Sequence, residues 1–459
     1  MAENLTKRVD NFAVYLPAMQ KESARFIYDG KGTLHGMDAK FKIKATDLNW
    51  FEPKNKHWSY KWCLASAGHM AKDKSDNAIT SKHEDAIVVG DSGGYQIGTG
   101  ALSQTSGWTE HQSDTAHIRT LWKQSHIRDW IVEWLDVNCD YAMTIDMPLW
   151  VRGTNRSNSP FHKFSEDELI ALSLDNLDYL VANRGVSGTC KFLNVLQAWG
   201  ENANDGGASS LASEEKWYAA VKGYDLDGWS LGGEVGWRGG IYRVLRRMLT
   251  MRDDGLLADG HDWCHVLGVS QPIWAVYLTA IQRAIRNHNV NRNFTMSFDS
   301  ASPYILGGVF QKYALHPSFG EDWNEWVLRH DLLATGYGIA NQTYSDPFPS
   351  ASPIASKFNM RQLNPKSGEF DPKTTDTMSD AIMVNHNVYV YIKSMIRANE
   401  AVFSRKPQAP KELVRAVGII DELFAARDWR SMLEARKEYL QAVLLRAPIE
   451  DIDTSDERM

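Results

Sequence analysis

Eight short apolar runs, each closing on polar residues or glycine, constrain the fold of this chain more than any other feature. They are NFAVYL near residue 13, WCLAS near 63, AIVVGD ending at Asp91, DYAMTID ending at Asp146, FLNVLQ ending at Gln197, DGWSLGG ending at Gly233, HVLGVS ending at Ser270 and FTMSFD ending at Asp299. Runs of this length and composition read as strands. Between them lie segments with apolar residues three and four apart, at 116–135, 165–185, 242–251 and 275–288, which read as helices. Strand and helix alternating eight times predicts an α/β protein, a (β/α)8 TIM barrel, with a doubly wound open sheet as the alternative. In a barrel the strand ends crowd one mouth. Asp91, Asp146, Gln197, Gly232, Gly233 and Asp299, far apart in sequence, then line one pocket.

The pattern breaks after Asp299. Residues 307–380 are rich in Pro, Ser, Gly, Asn and aromatics and read as an insertion folded against the barrel mouth. Helical spacing resumes at 379–403 as the last barrel helix, so residues 1–403 form the predicted barrel domain. Residues 404–459 form a C-terminal helical extension that ends in an acidic, frayed tail.

The stretch AIVVGDSGGYQIGTGAL (86–102) carries glycines at 90, 93, 94, 98 and 100, as a phosphate loop does. The spacing fits neither G-x-G-x-x-G nor G-x-x-x-x-G-K-[ST], and no lysine follows Gly94. What remains is a strand that delivers Asp91 beside Ser92, Gly93, Gly94 and Tyr95. One reading makes this placed chemistry; the other is a turn in which Asp91 caps a helix.

Charge and cysteines bound the partners. Acidic residues exceed basic ones by 57 to 50, for a net charge of −7, so nucleic-acid contact requires a local basic patch. The helix after Gly-Gly supplies one candidate in Arg238, Arg243, Arg246, Arg247 and Arg252, with a solvated helix face as the alternative. Trp229 and Trp237 flank Gly-Gly, as core or as stacking platforms. Cys63, Cys139, Cys190 and Cys264 are far apart and form no C-x-x-C pair, which predicts buried thiols and no zinc framework. The expectation is a protein with no metal, no cofactor and no membrane segment, cytoplasmic in location.

Two carboxylates split a displacement at a sugar anomeric carbon between nucleophile and general acid/base. A third carboxylate, an amide and backbone N–H groups read the edge of a heterocycle. The combination points to nucleoside chemistry. On these residues the sequence resembles the tRNA-guanine transglycosylases, (β/α)8 enzymes that exchange guanine for a 7-deazaguanine. The most specific match is GDSGGYQ (90–96), followed in the family's order by TIDMP (144–148), LQAWG (196–200), SLGGEVG (230–236), HVLGVSQP (265–272), FDSASP (298–303) and NHNVYVYI (385–392).

The resemblance implies Asp299 as nucleophile and Asp91 as general acid/base. It implies base binding by Ser92, Asp146, Gln197, Gly232 and Gly233, with Tyr95 and Leu267 sandwiching the base. Two departures stand out. The family's zinc cluster has no counterpart, since no cysteine follows Cys264 and His386 stands without thiolate partners, which reads as an ordinary helix histidine. The family's basic stretch after the nucleophile is replaced by SASPYILGGVFQ. Both are similar to the bacteriophage branch that modifies DNA, which implies DNA as partner, with tRNA as the alternative, a 7-deazaguanine base as second substrate, and host cytoplasm as location if phage-encoded. Other readings are a retaining glycosidase and a catalytically inactive nucleic-acid-binding barrel.

Overall fold

The computed structural model describes residues 2–30, 43–73, 75–200, 207–236, 239–332, 347–359, 363 and 377–446. Arg238, Trp237, the acidic tail and much of the insertion therefore lie outside the described residues. Eight parallel strands form one sheet: β1 (Val14–Pro17), β2 (Trp62–Ser66), β3 (Ile87–Asp91), β4 (Tyr141–Met143), β5 (Lys191–Leu196), β6 (Gly228–Leu231), β7 (Trp263–Val266) and β8 (Thr295–Ser300). Each overlaps one of the eight apolar runs, and Trp263–Val266 starts two residues before the run HVLGVS. β8 pairs with β1 in the register Asp299 to Leu16, and a parallel bridge from Ala18 to Leu64 joins β1 to β2, so the sheet curls into an almost closed (β/α)8 barrel.

Helices alternate with the strands: α1 (Lys21–Asp29), α2 (Ala67–Met70), α3 (Gly94–Thr99), α4 (Thr115–Gln124), α5 (Ile127–Asn138), α6 (Glu166–Asn183), α7 (Ala208–Val221), α8 (Gly240–Asp253), α9 (Pro272–Asn287) and α10 (Thr377–Phe403). The predicted helix at 116–135 is two helices. Ser125 is extended and its hydroxyl bonds the Trp122 carbonyl at 2.7 Å, a local alternative to the helical ladder that apolar spacing does not register.

Inside the barrel, the two-residue period of the strands stacks side chains from floor to mouth. Tyr141 and Trp263 pack at 4.3 Å between ring centroids on the floor. Above them lie His265 and Ser297, both fully buried, and at the top Asp299.

The described part of the insertion is an antiparallel ribbon, Lys312–Ala314 with His330–Leu332, followed by 347–359. It packs along the flank of α10. Asn387 accepts a hydrogen bond from Ala314 N, and His386 Nε2 donates to Ala314 O at 2.9 Å while its ring meets Phe348. Burial pushes the His386 pKa down to about 3, so it is a neutral, hydrogen-bonded helix histidine. Two C-terminal helices, α11 (Lys411–Ala425) and α12 (Trp429–Leu444), pack on the outer helices α9 and α8. Gly240, where α8 starts, takes φ 68°, which favours glycine, and the Gln441 amide of α12 packs over it.

Candidate active site

The glycine-rich stretch after β3 resolves into a close approach of two backbones. α3 starts at Gly94 with Gly93 as its N-cap, at φ 89°, and no side chain caps it. A Cβ on Gly93 would lie 2.6 Å from Gly68 Cα of α2, so glycine is required on steric as well as torsional grounds. Asp91 therefore does not cap the helix. It ends β3 in register with Ser66 of β2, and the motif holds it at the mouth.

Asp299 is the best-anchored of the three carboxylates. Its Oδ1 accepts from Gly268 N at 2.9 Å and lies 3.1 Å from His265 Nε2; Oδ2 carries no hydrogen bond among the described residues. A relay fixes the histidine. Trp263 Nε1 has only a proton to give and donates to Ser297 Oγ at 2.7 Å; Ser297 then donates to His265 Nδ1 at 2.8 Å. Nδ1 is thereby an acceptor, and Nε2 carries the proton that bonds Asp299. One carboxylate oxygen is clamped and the other is left with its lone pairs.

Asp91 sits in the opposite regime. Burial raises its pKa above the ordinary aspartate range and the charge of Asp299 adds to this, against the opposing pull of the nearby Ser66 hydroxyl, Gly93 N–H and His69. The Ser66 hydroxyl stops short of a full hydrogen bond. His69, exposed on α2, is 2.6 Å from Gln96 Nε2, and Gln96 Oε1 is buried without a partner.

For Asp146, burial pushes the pKa up to about 7, and the charge of Asp91 adds to the rise. Asp91 and Asp299 lie at the ends of their strands and Asp146 three residues beyond the end of β4, which brings all three to the same end of the barrel. Gln197 Nε2 donates to Asp146 Oδ2 and to Met147 O, and its Oε1 accepts from Leu149 N at 2.8 Å. Both amide protons are committed, so Gln197 orients Asp146 and the following loop. Gly232 lies beneath Leu267, whose Cδ1 would be 3.3 Å from a Cβ there; Gly233 is exposed at φ 49°, and its N–H has no partner among the described residues. Ser92 is buried behind Asp91, and Tyr95 on α3 meets Trp150 at 5.9 Å.

The structure corrects the arginine cluster at Arg243 and Arg247, while Arg238 lies outside the described residues. Arg247 is fully buried, with Nε 2.7 Å from Glu214 Oε1, and buried Arg243 binds Glu214 Oε2 at 2.6 Å. Arg246 pairs with Glu215 at 2.6 Å, and Arg252 bonds Asp253 and the Phe424 carbonyl. These side chains brace α8 against α7 and against the C-terminal helices. Neither a phosphate path nor a solvated face describes Arg243 and Arg247. Trp229 is core, with its Nε1 on the Leu256 carbonyl.

Sequence reasoning missed His265, His69, Gln96, Trp150 and Arg156. A signal existed for His265: it opens the run HVLGVS as its one ionisable side chain, in a segment that reads as a barrel strand.

Fold and site together define a (β/α)8 barrel with a carboxylate cluster at the carboxyl ends of its strands. No protein-family model matches the chain, and no curated protein matches it.

Proposed function

We propose that this protein is a guanine transglycosylase that exchanges guanine for a 7-deazaguanine in DNA through a covalent Asp299–sugar intermediate. The observation that carries this reading is the divergence of two carboxylates in one mouth: Asp299 with one oxygen clamped and the other free, and Asp91 with its pKa raised by burial. Asp299 Oδ2 attacks the anomeric carbon as the glycosidic bond to guanine breaks, and Asp91 gives its proton to the departing base. In the second half the incoming base gives a proton to Asp91 and its nitrogen displaces Asp299. Atoms and charge balance without a cofactor. Asp146, oriented by Gln197, accepts from the base edge, and Tyr95 and Leu267 cover its faces.

The DNA preference rests on the sequence departures around His386 and after Asp299. With Arg243 and Arg247 withdrawn into ion pairs, phosphate contacts must come from elsewhere on the surface.

The test is incorporation of labelled guanine into single-stranded DNA, double-stranded DNA and tRNA. DNA is expected to take up label and to form a denaturation-resistant adduct, and Asp299→Asn is expected to remove both, lowering exchange by roughly 10⁴-fold or more. Label in tRNA alone would overturn the DNA assignment. Base release with no incorporation would replace the exchange reaction with hydrolysis.

A further inference from the structure

Beside Tyr95 lies a cavity of about 320 Å³ whose walls include Trp150, Asn155, Arg156, Asn158 and Ser159. Trp150 is pinned there. A Cβ on Gly98 would lie 2.7 Å from its ring, so the indole rests directly on the helix backbone, and Ser159 Oγ donates to Gly98 O at 2.6 Å to fasten the same loop. The Arg156 guanidinium stacks over the indole at 4.8 Å and makes no ion pair among the described residues. A part-buried guanidinium with no carboxylate partner keeps its N–H donors available to an anion.

We infer that this cavity holds the nucleotide adjacent to the exchanged guanosine, its base against Trp150 and Tyr95 and its phosphate on Arg156. This rests on the proposed base exchange. Three observations carry it. The volume suits one small ligand. The surfaces combine what a nucleotide offers partners for: flat aromatic faces for a base, side-chain amides of Asn155 and Asn158 for its edges, and a guanidinium for phosphate. Tyr95 belongs to both this cavity and the base site, so an occupant here is a near neighbour of the target. Flipping the target guanosine out of a stack leaves its neighbour exposed, and a platform for that neighbour offsets part of the cost.

The experiment measures binding of a short fluorescent single strand with one guanine, in which each nucleotide flanking that guanine is replaced in turn by an abasic linker. With wild type, one flanking position is expected to weaken binding about tenfold. Trp150→Ala is expected to weaken the intact strand by about the same factor and to abolish the penalty at that position. Arg156→Gln, on the rim where folding is not at stake, is expected to reduce the salt dependence of log Kd by about one unit of slope. If the strand is bound and exchanged normally while both variants leave the abasic profile and the salt slope unchanged, the inference is wrong and the exchange reading stands. If wild type binds no strand, both fail. If a free nucleoside monophosphate binds in an Arg156-dependent way while strand affinity is indifferent to Arg156, the cavity serves a free nucleotide and the inference is overturned.

Discussion

Glu214 and the three carboxylates at the barrel mouth are treated in opposite ways. Glu214, on α7 beneath α8, is held between Arg243 and Arg247, each within 2.7 Å. Asp91, Asp146 and Asp299, at the barrel mouth, have no lysine or arginine partner among the described residues; their neighbours are hydroxyls, amides, backbone N–H groups and two histidines. A paired buried charge is silent chemically and rigid mechanically. An unpaired one costs stability, shifts its pKa, and is available to a substrate. The difference separates the structural charges of this molecule from those fitted to act.

Removing the Glu214 charge is the largest perturbation on the structural side of that contrast. Glu214→Gln leaves buried Arg243 with only the Ser210 oxygens and Arg247 with only Glu215, and unfolding free energy is expected to fall by about 3–5 kcal/mol, read from urea denaturation. Exchange per folded molecule should stay at the wild-type rate. A variant as stable as wild type but weakened in DNA binding would restore the arginines to a phosphate path and break the comparison.

On the mouth side, the relay through Trp263, Ser297 and His265 makes a smaller and more selective demand. His265→Phe deletes the donor to Asp299 Oδ1, which is expected to lower kcat about 10- to 100-fold with little change in KM. His265→Gln, which returns an N–H near the position of Nε2, should recover most of that loss. A residue that merely filled space would show neither the split between kcat and KM nor the recovery by a polar replacement.

The barrel was legible because its signal is periodic and local. All eight apolar runs overlap strands, since a strand buried on both faces must be apolar along its length. Asp91, Asp146 and Asp299 were legible for a related reason: a charged residue closing such a run has nowhere to go but the mouth. What escaped depends on pairing between distant segments. Arg243 and Arg247 look free in RGGIYRVLRRMLTMR until Glu214, some thirty residues earlier, is placed against them. Trp150 and Arg156 follow a strand end in a stretch with no period, and only the packing of Trp150 on Gly98 and of Arg156 on Trp150 gives them a role. The break at Ser125 belongs to the same class, because a hydroxyl turned back on Trp122 leaves the apolar spacing intact.

The finest discrimination between the two kinds of carboxylate is the response of Asp146 to pH. Its pKa stands at about 7 in the folded chain against an ordinary 3.8, because burial, reinforced by Asp91, disfavours its anion. Between those values the folded chain holds a proton that the unfolded chain has released, so this group makes stability fall as pH rises from about 3.8 to about 7. Above that window the whole cost is present; below it there is none. Asp146→Asn removes the ionisation while keeping an oxygen to accept from Gln197. The melting temperature of the variant should therefore exceed that of wild type by about 1–3 °C at pH 8, with the gain gone near pH 4. Binding runs the other way. An anion accepts the N–H edge of guanine better than a neutral acid, so the wild-type KM for the free base should fall as pH passes through 7, and the asparagine variant should lose both that dependence and its preference for guanine over adenine. An asparagine variant less stable than wild type at pH 8 would show that the Asp146 anion supports the fold, and that result would erase the distinction on which the active-site reading rests.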